Sequence, residues 1–174
     1  MSKVDSLLYA WGNSSLGTFI AVKSDRGLVA FEFASPDGGA VTELAERFPD
    51  AALTEQADAM AKTVAALANL VDHPGQDGGI PLDIHGTDYE KKVWDLLRAI
   101  PAGSTVSYGE IAAQMGTPRD PRDATAAIAA NRLAILIPCH RVVKKDGSLS
   151  GYRWGARRKR ALLERERCGF AAGA

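Results

Sequence analysis

The 174-residue chain has an ordinary globular composition, with 46 % hydrophobic and 24 % charged residues, and its length suits one large domain or two small ones. Its two cysteines are too few for a disulfide framework, which argues against a small disulfide-stabilised secreted protein. No apolar run is long enough to cross a membrane and the first residues lack a signal-peptide pattern, so we expect a cytoplasmic protein without membrane contact.

The formal net charge of zero hides an opposition between the two halves of the sequence. Residues 1–84 carry 5 basic and 12 acidic side chains, a balance of −7, whereas residues 85–174 carry 16 and 9, a balance of +7. This asymmetry indicates that only the second half meets a polyanion such as nucleic acid. Uneven surface charge without a function is the alternative, and charge alone does not decide between the two.

The first half predicts a small α+β domain. LLYAW, GTFIAVK and GLVAFEF indicate three short strands, with a turn at SDRG between the second and the third. GGAVTELAERF and EQADAMAKTVAALANLV then predict two helices. A segment rich in Gly, Pro and Asp at 71–81 indicates a linker. We therefore predict a scaffold domain at residues 1–80 and a second domain at residues 81–174.

A pair of short helices follows an amphipathic helix in the second half. Ser107 and Glu110 form a capping-box pattern at the start of one helix, and Gly116 is a natural end for it. DPRD at 120–123 then begins another helix, with its first aspartate as the N-cap. The pair resembles a helix-turn-helix at about residues 107–131. Because short helix pairs are also common in all-α cores, this pattern alone is weak evidence for nucleic-acid binding.

The second of these helices is rich in alanine. Its small side chains, which include Ala124, Ala126 and Ala127, let the backbone come close either to another helix or to a nucleic-acid groove. Arg122 stands at its start, where a guanidinium group can enter a groove or replace an extruded base in the stack. Asp120 and Asp123 lie on either side of this arginine and would repel phosphates.

The last part of the chain combines a thiol, an imidazole and a carboxylate. An apolar run, LAILIP, predicts a buried strand that leads to Cys139 and His140, and Glu166 falls on the apolar face of a predicted closing helix. An imidazole held by a carboxylate can take the proton of a thiol. Because neighbours on a strand point to opposite faces, contact between Cys139 and His140 requires a sharp turn or a bridging water. The alternatives are an inert core cysteine and a salt bridge from Glu166 to an arginine.

Four stretches resemble the O6-alkylguanine-DNA alkyltransferases, the family that repairs alkylated guanine by moving the alkyl group to its own cysteine. They are KKVWDLLRAIPAGSTVSYGEIAAQMG, residues 122–131, IPCHRVV and GSLSGYRWGARRKRALLERE. IPCHRVV at the end of an apolar run is the most specific of these. Within the family, the second half looks closest to the alkyltransferase half of the Ada protein.

The resemblance implies the architecture and the partner. It implies a small RNase H-like α+β domain followed by a helical, winged-helix-like alkyltransferase domain. The implied partner is double-stranded DNA that carries O6-alkylguanine, bound through the minor groove by a monomer, with O4-alkylthymine as a further substrate and no cofactor. Some members bind zinc through the first domain, but residues 1–84 contain no cysteine and one histidine, so no metal is expected here.

The resemblance also implies catalytic roles. Cys139 corresponds to the alkyl acceptor, and His140 and Glu166 correspond to the pair that activates it through a water. Asn131 corresponds to the asparagine that braces the active-site turn. Tyr108 corresponds to the tyrosine that helps to protonate the leaving base.

Further residues are assigned to DNA and to the substrate in the same way. Arg122 corresponds to the arginine that fills the gap left by the flipped nucleotide. The other implied DNA contacts are Ser107, Tyr108, Ala124, Ala126 and Ala127. The implied substrate pocket comprises Val142, Gly151, Tyr152, Arg153, Trp154 and Gly155, and Trp154 is expected to narrow it.

Two other functions compete with this interpretation. One is a lesion-binding protein that flips the damaged base without reacting, and the presence of Cys139 argues against it. The other is a thiol hydrolase that uses Cys139, His140 and Glu166, which would need an oxyanion hole and repeated turnover.

Three residues around Arg122 depart from the family pattern, namely Asp120, Pro121 and Asp123. We expect them to affect the affinity for DNA more than the chemistry of transfer.

Overall fold

The computed structural model describes residues 4–76, 79–116, 121–149 and 151–172, without the side chains of residues 169–172. The chain divides into two compact units, Met1–Asp72 with Asp77–Ile84 and His73–Gln76 with His85–Ala174. Both helices and strands are present, which confirms the predicted α+β class.

The first unit is a four-stranded sheet with two helices. Its elements are β1 (Ser6–Ser14), β2 (Gly17–Lys23), β3 (Leu28–Phe33), α1 (Ala40–Arg47), β4 (Ala52–Glu55) and α2 (Ala57–Asp72). The strand order is β3-β2-β1-β4, with β4 parallel to β1 and the other neighbours antiparallel. The sequence analysis missed β4, because this mostly exposed strand has no alternating apolar pattern and exists through its pairing with β1.

The core of the first unit comes mainly from β2 and β3, whose residues are buried almost without interruption. The helix α2 packs against β1. Gly12 makes close packing possible here, since a Cβ atom at this position would lie 2.4 Å from Phe19 Cζ and 2.6 Å from Val64 Cγ1. Burial of each large apolar side chain contributes about 1.5–3 kcal/mol, so this unit can serve as a stable scaffold.

The second unit is mainly helical. Its elements are α3 (Asp88–Arg98), β5 (Val106–Ser107), α4 (Tyr108–Met115), α5 (Pro121–Ala129), a 3₁₀ turn (Cys139–Arg141), β6 (Val142–Val143) and α6 (Ala156–Ala172). The two-residue strands β5 and β6 pair in parallel and so join the start of α4 to the end of the 3₁₀ turn. The helices α3, α4 and α5 pack against one another.

The predicted caps of α4 are confirmed. The Ser107 hydroxyl accepts a hydrogen bond from the Glu110 backbone N–H, and the Glu110 carboxylate accepts one from the Ser107 backbone N–H. The helix ends at Gly116, which has a positive φ of 63° that favours glycine. The proposed N-cap of α5, Asp120, lies outside the described residues.

One predicted strand is wrong. LAILIP forms a buried series of turns instead of a strand, and Ile135 has a φ of 69° within it. The side chain of Asn131 forms hydrogen bonds with backbone groups of this segment that would otherwise pair with a neighbouring strand. Asp146 and Gly147 lie in a turn, and residues 151–155 before α6 form no strand.

Candidate active site

Cys139 begins the short 3₁₀ turn directly after Pro138, and its side chain is buried. The Cys139 N–H donates to the Ile137 carbonyl at 2.8 Å, and the Arg141 N–H donates to the Pro138 carbonyl at 3.0 Å. The backbone thus turns sharply at Cys139 instead of continuing as a strand. Therefore Cys139 and His140 do not point to opposite faces of a strand.

Asn131 holds this turn in place from inside the unit. Its Nδ2 donates to the Ile137 carbonyl at 2.8 Å and to the Leu133 carbonyl at 3.3 Å, and its Oδ1 accepts from the Leu133 N–H at 2.8 Å. Nδ2 also lies 3.3 Å from Cys139 Sγ. One buried amide therefore fixes the backbone before the cysteine and donates to its sulfur.

His140, Glu166 and Arg141 form a buried cluster beside the thiol. His140 Nε2 lies 2.6 Å from Glu166 Oε1, and both side chains are fully buried. Arg141 Nε donates to both oxygens of Glu166, at 3.1 and 3.0 Å, and Nη2 donates to Oε1 at 2.8 Å. A histidine and an arginine were the two alternative partners predicted for Glu166, and Glu166 contacts both.

The electrostatics of this cluster favour a neutral imidazole next to a resting thiol. Burial raises the pKa of Cys139, against the lowering effects of the Asn131 hydrogen bond and of the Lys159 and Arg153 charges. Burial lowers the pKa of His140, which outweighs the raising effect of Glu166. Burial alone would raise the pKa of Glu166, but the hydrogen bonds from His140 and Arg141 hold it below its ordinary value.

Lys159 and Arg141 were not predicted as site residues. The Lys159 side chain is fully buried, and its Nζ lies 5.7 Å from the centroid of the Tyr108 ring. Burial lowers the pKa of Lys159, and the charge of Cys139 opposes that effect. The spacing could have indicated the burial of Lys159, because Lys159, Leu162, Leu163 and Glu166 share one helix face at spacings of three, four and seven residues. However, Lys159 lies within the basic run ARRKR, which is typical of a solvated segment.

The loop after the Asp146-Gly147 turn supplies aromatic walls. Tyr152 and Trp154 are both buried, and their rings pack edge to face with centroids 5.3 Å apart. A Cβ atom on Gly151, whose φ is 75°, would lie 3.1 Å from the Tyr108 hydroxyl. Arg153 is exposed, and its Nε donates to the Ala129 carbonyl at 3.1 Å. Val142 is fully buried, and Gly155 accepts the N–H of Lys159.

The proposed DNA-binding residues divide into exposed and buried ones. Arg122 and Ala126 are exposed on α5. Ala124 and Ala127 are buried, and the Ala127 carbonyl accepts the indole N–H of Trp94 at 2.8 Å. The packing of α5 against α3 gives a structural reason for their small size, and the contact of these two alanines with DNA stays a prediction.

Neither a membrane span nor a metal site is found. No helix within the described ranges is long and apolar enough to cross a bilayer. Those same ranges contain no group of three or more His, Cys, Asp or Glu side chains that could hold a metal ion.

Comparison with known proteins agrees with this geometry. The DNA-binding domain of 6-O-methylguanine DNA methyltransferase matches residues 88–168. The bifunctional transcriptional activator/DNA repair enzyme Ada of Escherichia coli is 45 % identical over 162 residues, which cover 91 % of this chain and 45 % of that protein. The inducible methylated-DNA–protein-cysteine methyltransferase of Bacillus subtilis is 35 % identical over 153 residues, 86 % of this chain and 84 % of that one.

A solved structure resembles the whole chain. The crystal structure of Mycobacterium tuberculosis OGT in complex with DNA superposes with a TM-score of 0.75 at 33 % identity and covers 92 % of this chain and 93 % of that one. The chain spans about half the length of the Ada proteins that it matches. Fold and site define a protein in which a buried cysteine follows two packed helices, α4 and α5. The chain belongs to the methylated-DNA–protein-cysteine methyltransferase family.

Proposed function

We propose that this protein repairs O6-alkylguanine in double-stranded DNA by transferring the alkyl group to Cys139, once per molecule. The observation that carries the proposal is the Cys139 thiol, which is held by Asn131 and followed directly by the His140–Glu166 pair, in a chain of this family. The same reaction on O4-alkylthymine is a further part of the proposal.

The target carbon is enclosed in the duplex, so the damaged nucleotide must first be rotated out of the stack. We assign this step to the helix pair α4 and α5 acting from the minor groove, with the exposed Arg122 in the gap that the nucleotide leaves. The protein acts as a monomer, since one copy contains all the groups of the site. In this proposal the second unit is winged-helix-like, and the RNase H-like first unit supports it in the cytoplasm.

The transfer is a displacement at an sp³ carbon. The proton of Cys139 moves to His140, through a water, and the thiolate attacks the alkyl carbon. A sulfur–carbon bond forms as the carbon–O6 bond breaks, and the electron pair of that bond stays on the guanine. Tyr108 donates a proton to the departing base, which makes it a better leaving group. The resulting thioether is stable, so the protein is consumed in the reaction.

The site explains how a buried thiol can react. Burial raises the pKa of Cys139, which therefore rests as a thiol and is protected from solution reagents. The neutral imidazole of His140 can accept its proton, and the charge of Lys159 stabilises the thiolate that forms. Proton transfer and charge stabilisation are thus provided by different side chains.

The test is the intact mass of the protein after it is mixed with a duplex that carries one O6-methylguanine. We expect a stoichiometric gain of one methyl group that is absent in Cys139→Ala and retained in Cys168→Ala. Cys168 is a suitable matched control because it is an exposed free thiol on α6. Retained lesion binding without a gain in mass would favour the non-reacting lesion binder, and repeated turnover of an ester would favour the hydrolase.

A further inference from the structure

Arg141 is the most completely engaged cation of the described site. Its Nε and Nη2 donate to the carboxylate of Glu166, and its Nη1 donates to the Ile100 carbonyl, just beyond the end of α3, at 2.7 Å. Only 8 % of its surface is exposed. The guanidinium group is therefore fixed by three elements of one unit, namely the 3₁₀ turn, α3 and α6.

The charge on Glu166 is shared between two partners. Oε1 lies 2.6 Å from His140 Nε2 and 2.8 Å from Arg141 Nη2. With Arg141 present, the carboxylate is already balanced by one positive charge. Protonation of His140 would then add a net positive charge to a fully buried site, which is unfavourable. Without Arg141, an imidazolium would be the counter-ion of Glu166, and protonation of His140 would be less unfavourable.

The other charged and titratable groups around His140 do not change this balance. Lys159 approaches from α6 and also disfavours an imidazolium, whereas Glu166 on the same helix favours it. Cys139 precedes it on the turn and rests as a neutral thiol. Burial is the largest cause of the preference for a neutral imidazole, and Arg141 adds to it as the cation that contacts Glu166, so its removal would make protonation of His140 easier.

We propose that Arg141 is a positioning residue that keeps His140 neutral, with its proton on Nε2 toward Glu166 and its Nδ1 available to accept the proton of Cys139. This inference rests on the proposed function, because only a thiol that must be deprotonated requires it. His140 Nδ1 is buried and has no hydrogen-bond partner among the described protein groups. This is the state that Nδ1 must have if it is to accept a proton in the reaction. Arg141 itself exchanges no proton; it acts through the charge of Glu166.

The first experiment follows the pH dependence of the single-turnover rate of methyl transfer in the parent, Arg141→Lys and Arg141→Met. Loss of a neighbouring positive charge raises the pKa of an imidazole, so we expect the acid limb of Arg141→Met to move up by about one to three pH units. Its rate should recover at high pH. Arg141→Lys should keep the limb near that of the parent. A loss of rate that is equal at every pH, with the limb unmoved, would show that Arg141 is only structural.

A second experiment needs neither a variant of Arg141 nor DNA. The chain has three histidines, so the imidazole ¹⁵N resonances of the labelled parent can be assigned by the loss of one set in His140→Gln. We expect His140 to be neutral and protonated at Nε2 at pH values where an ordinary histidine is half charged, near about 6.5. A positively charged His140 at that pH would overturn the inference.

These two experiments separate the inference from the proposed function. If the parent gains no methyl group from O6-methylguanine, the proposed function fails. The NMR result would still report whether His140 is neutral in the parent.

Discussion

The ammonium group of Lys159 lies against the face of the Tyr108 ring, with Nζ 5.7 Å from the ring centroid, although the lysine side chain is fully buried. A buried ammonium group is unfavourable for folding, and the lowered pKa of Lys159 reflects this. The proposed reaction gains from this charge, because it stabilises the thiolate of Cys139 before transfer.

Replacement of Lys159 by methionine should therefore slow methyl transfer about a hundredfold, since one preorganised electrostatic contact is lost at the reacting atoms. The melting temperature should not fall, because an apolar side chain of similar length replaces a desolvated charge. Single-turnover rates and thermal unfolding measure the two effects. Lys159→Arg keeps the charge and should retain more activity. A parental rate in Lys159→Met would remove Lys159 from the mechanism.

Asn131→Ala should lower the free energy of unfolding by about 3 kcal/mol, because it removes buried hydrogen bonds to the Leu133 N–H and to the Leu133 and Ile137 carbonyls. Denaturant unfolding measures the change. The matched control is Asn13→Ala, which removes an exposed hydrogen bond with Thr18 and should change stability by less than about 0.5 kcal/mol. Equal effects in the two variants would contradict a bracing role for Asn131.

A methyl group added at Gly151 should disturb Tyr108. Gly151→Ala and Gly155→Ala carry similar backbone strain, since both glycines have positive φ, 75° and 97°. Only the Cβ atom at residue 151 meets another group, the Tyr108 hydroxyl at 3.1 Å, and nothing lies within 4 Å of the one at residue 155. We expect similar melting temperatures and slower transfer in Gly151→Ala. Equal transfer rates would show that this approach is not needed.

Trp154→Ala should widen the range of accepted alkyl groups, because it removes one of the two packed aromatic walls. Competition between duplexes with O6-methyl- and O6-benzylguanine measures the preference. We expect the relative rate for benzyl to rise by at least about tenfold, the effect of a few methylene-sized contacts in an apolar pocket. An unchanged ratio would place the limit on alkyl size elsewhere.

Stability should decrease as the pH falls below about 6.5. Burial lowers the pKa of His140 from about that value, and hydrogen bonds from His140 and Arg141 hold the pKa of Glu166 below about 4.3. The unfolded chain therefore binds more protons than the folded one, first at histidine and then at glutamate, and acid favours unfolding. Melting temperatures across this range measure the effect. His140→Gln should flatten the upper part of the profile, and an equally steep profile in that variant would contradict the assignment.

The sequence predicted the elements whose signals are local. The capping box of Ser107 and Glu110 depends on residues three positions apart, and so it could be read directly. The strands of the first unit were recognised by their apolar runs, but β4 was not, because its existence depends on a distant partner, β1. The predicted strand before Cys139 failed for the opposite reason: its apolar residues are buried, but a side chain, Asn131, replaces the partner strand.

The site residues with a distinctive side-chain chemistry could be predicted from the sequence. The residues that act by balancing a buried charge could not. Cys139, His140 and Glu166 were candidates from their residue types and from the resemblance. Arg141 and Lys159 looked like ordinary basic residues, and only burial distinguishes them from the solvated ones nearby. Their helical or sequential proximity to Glu166 was visible, but the sequence does not show which cations are enclosed.

The backbone strain at Ile135 has a further consequence for the protein after the proposed transfer. A β-branched residue at a φ of 69° stores about 1–3 kcal/mol of strain, and the hydrogen bonds of Asn131 hold the turn that contains it. Alkylation converts the sulfur that Asn131 contacts into a bulkier and less accepting thioether. A molecule that has reacted should therefore open more readily at this turn than one that has not. Limited proteolysis should therefore cut the alkylated protein at this turn faster than the unreacted protein.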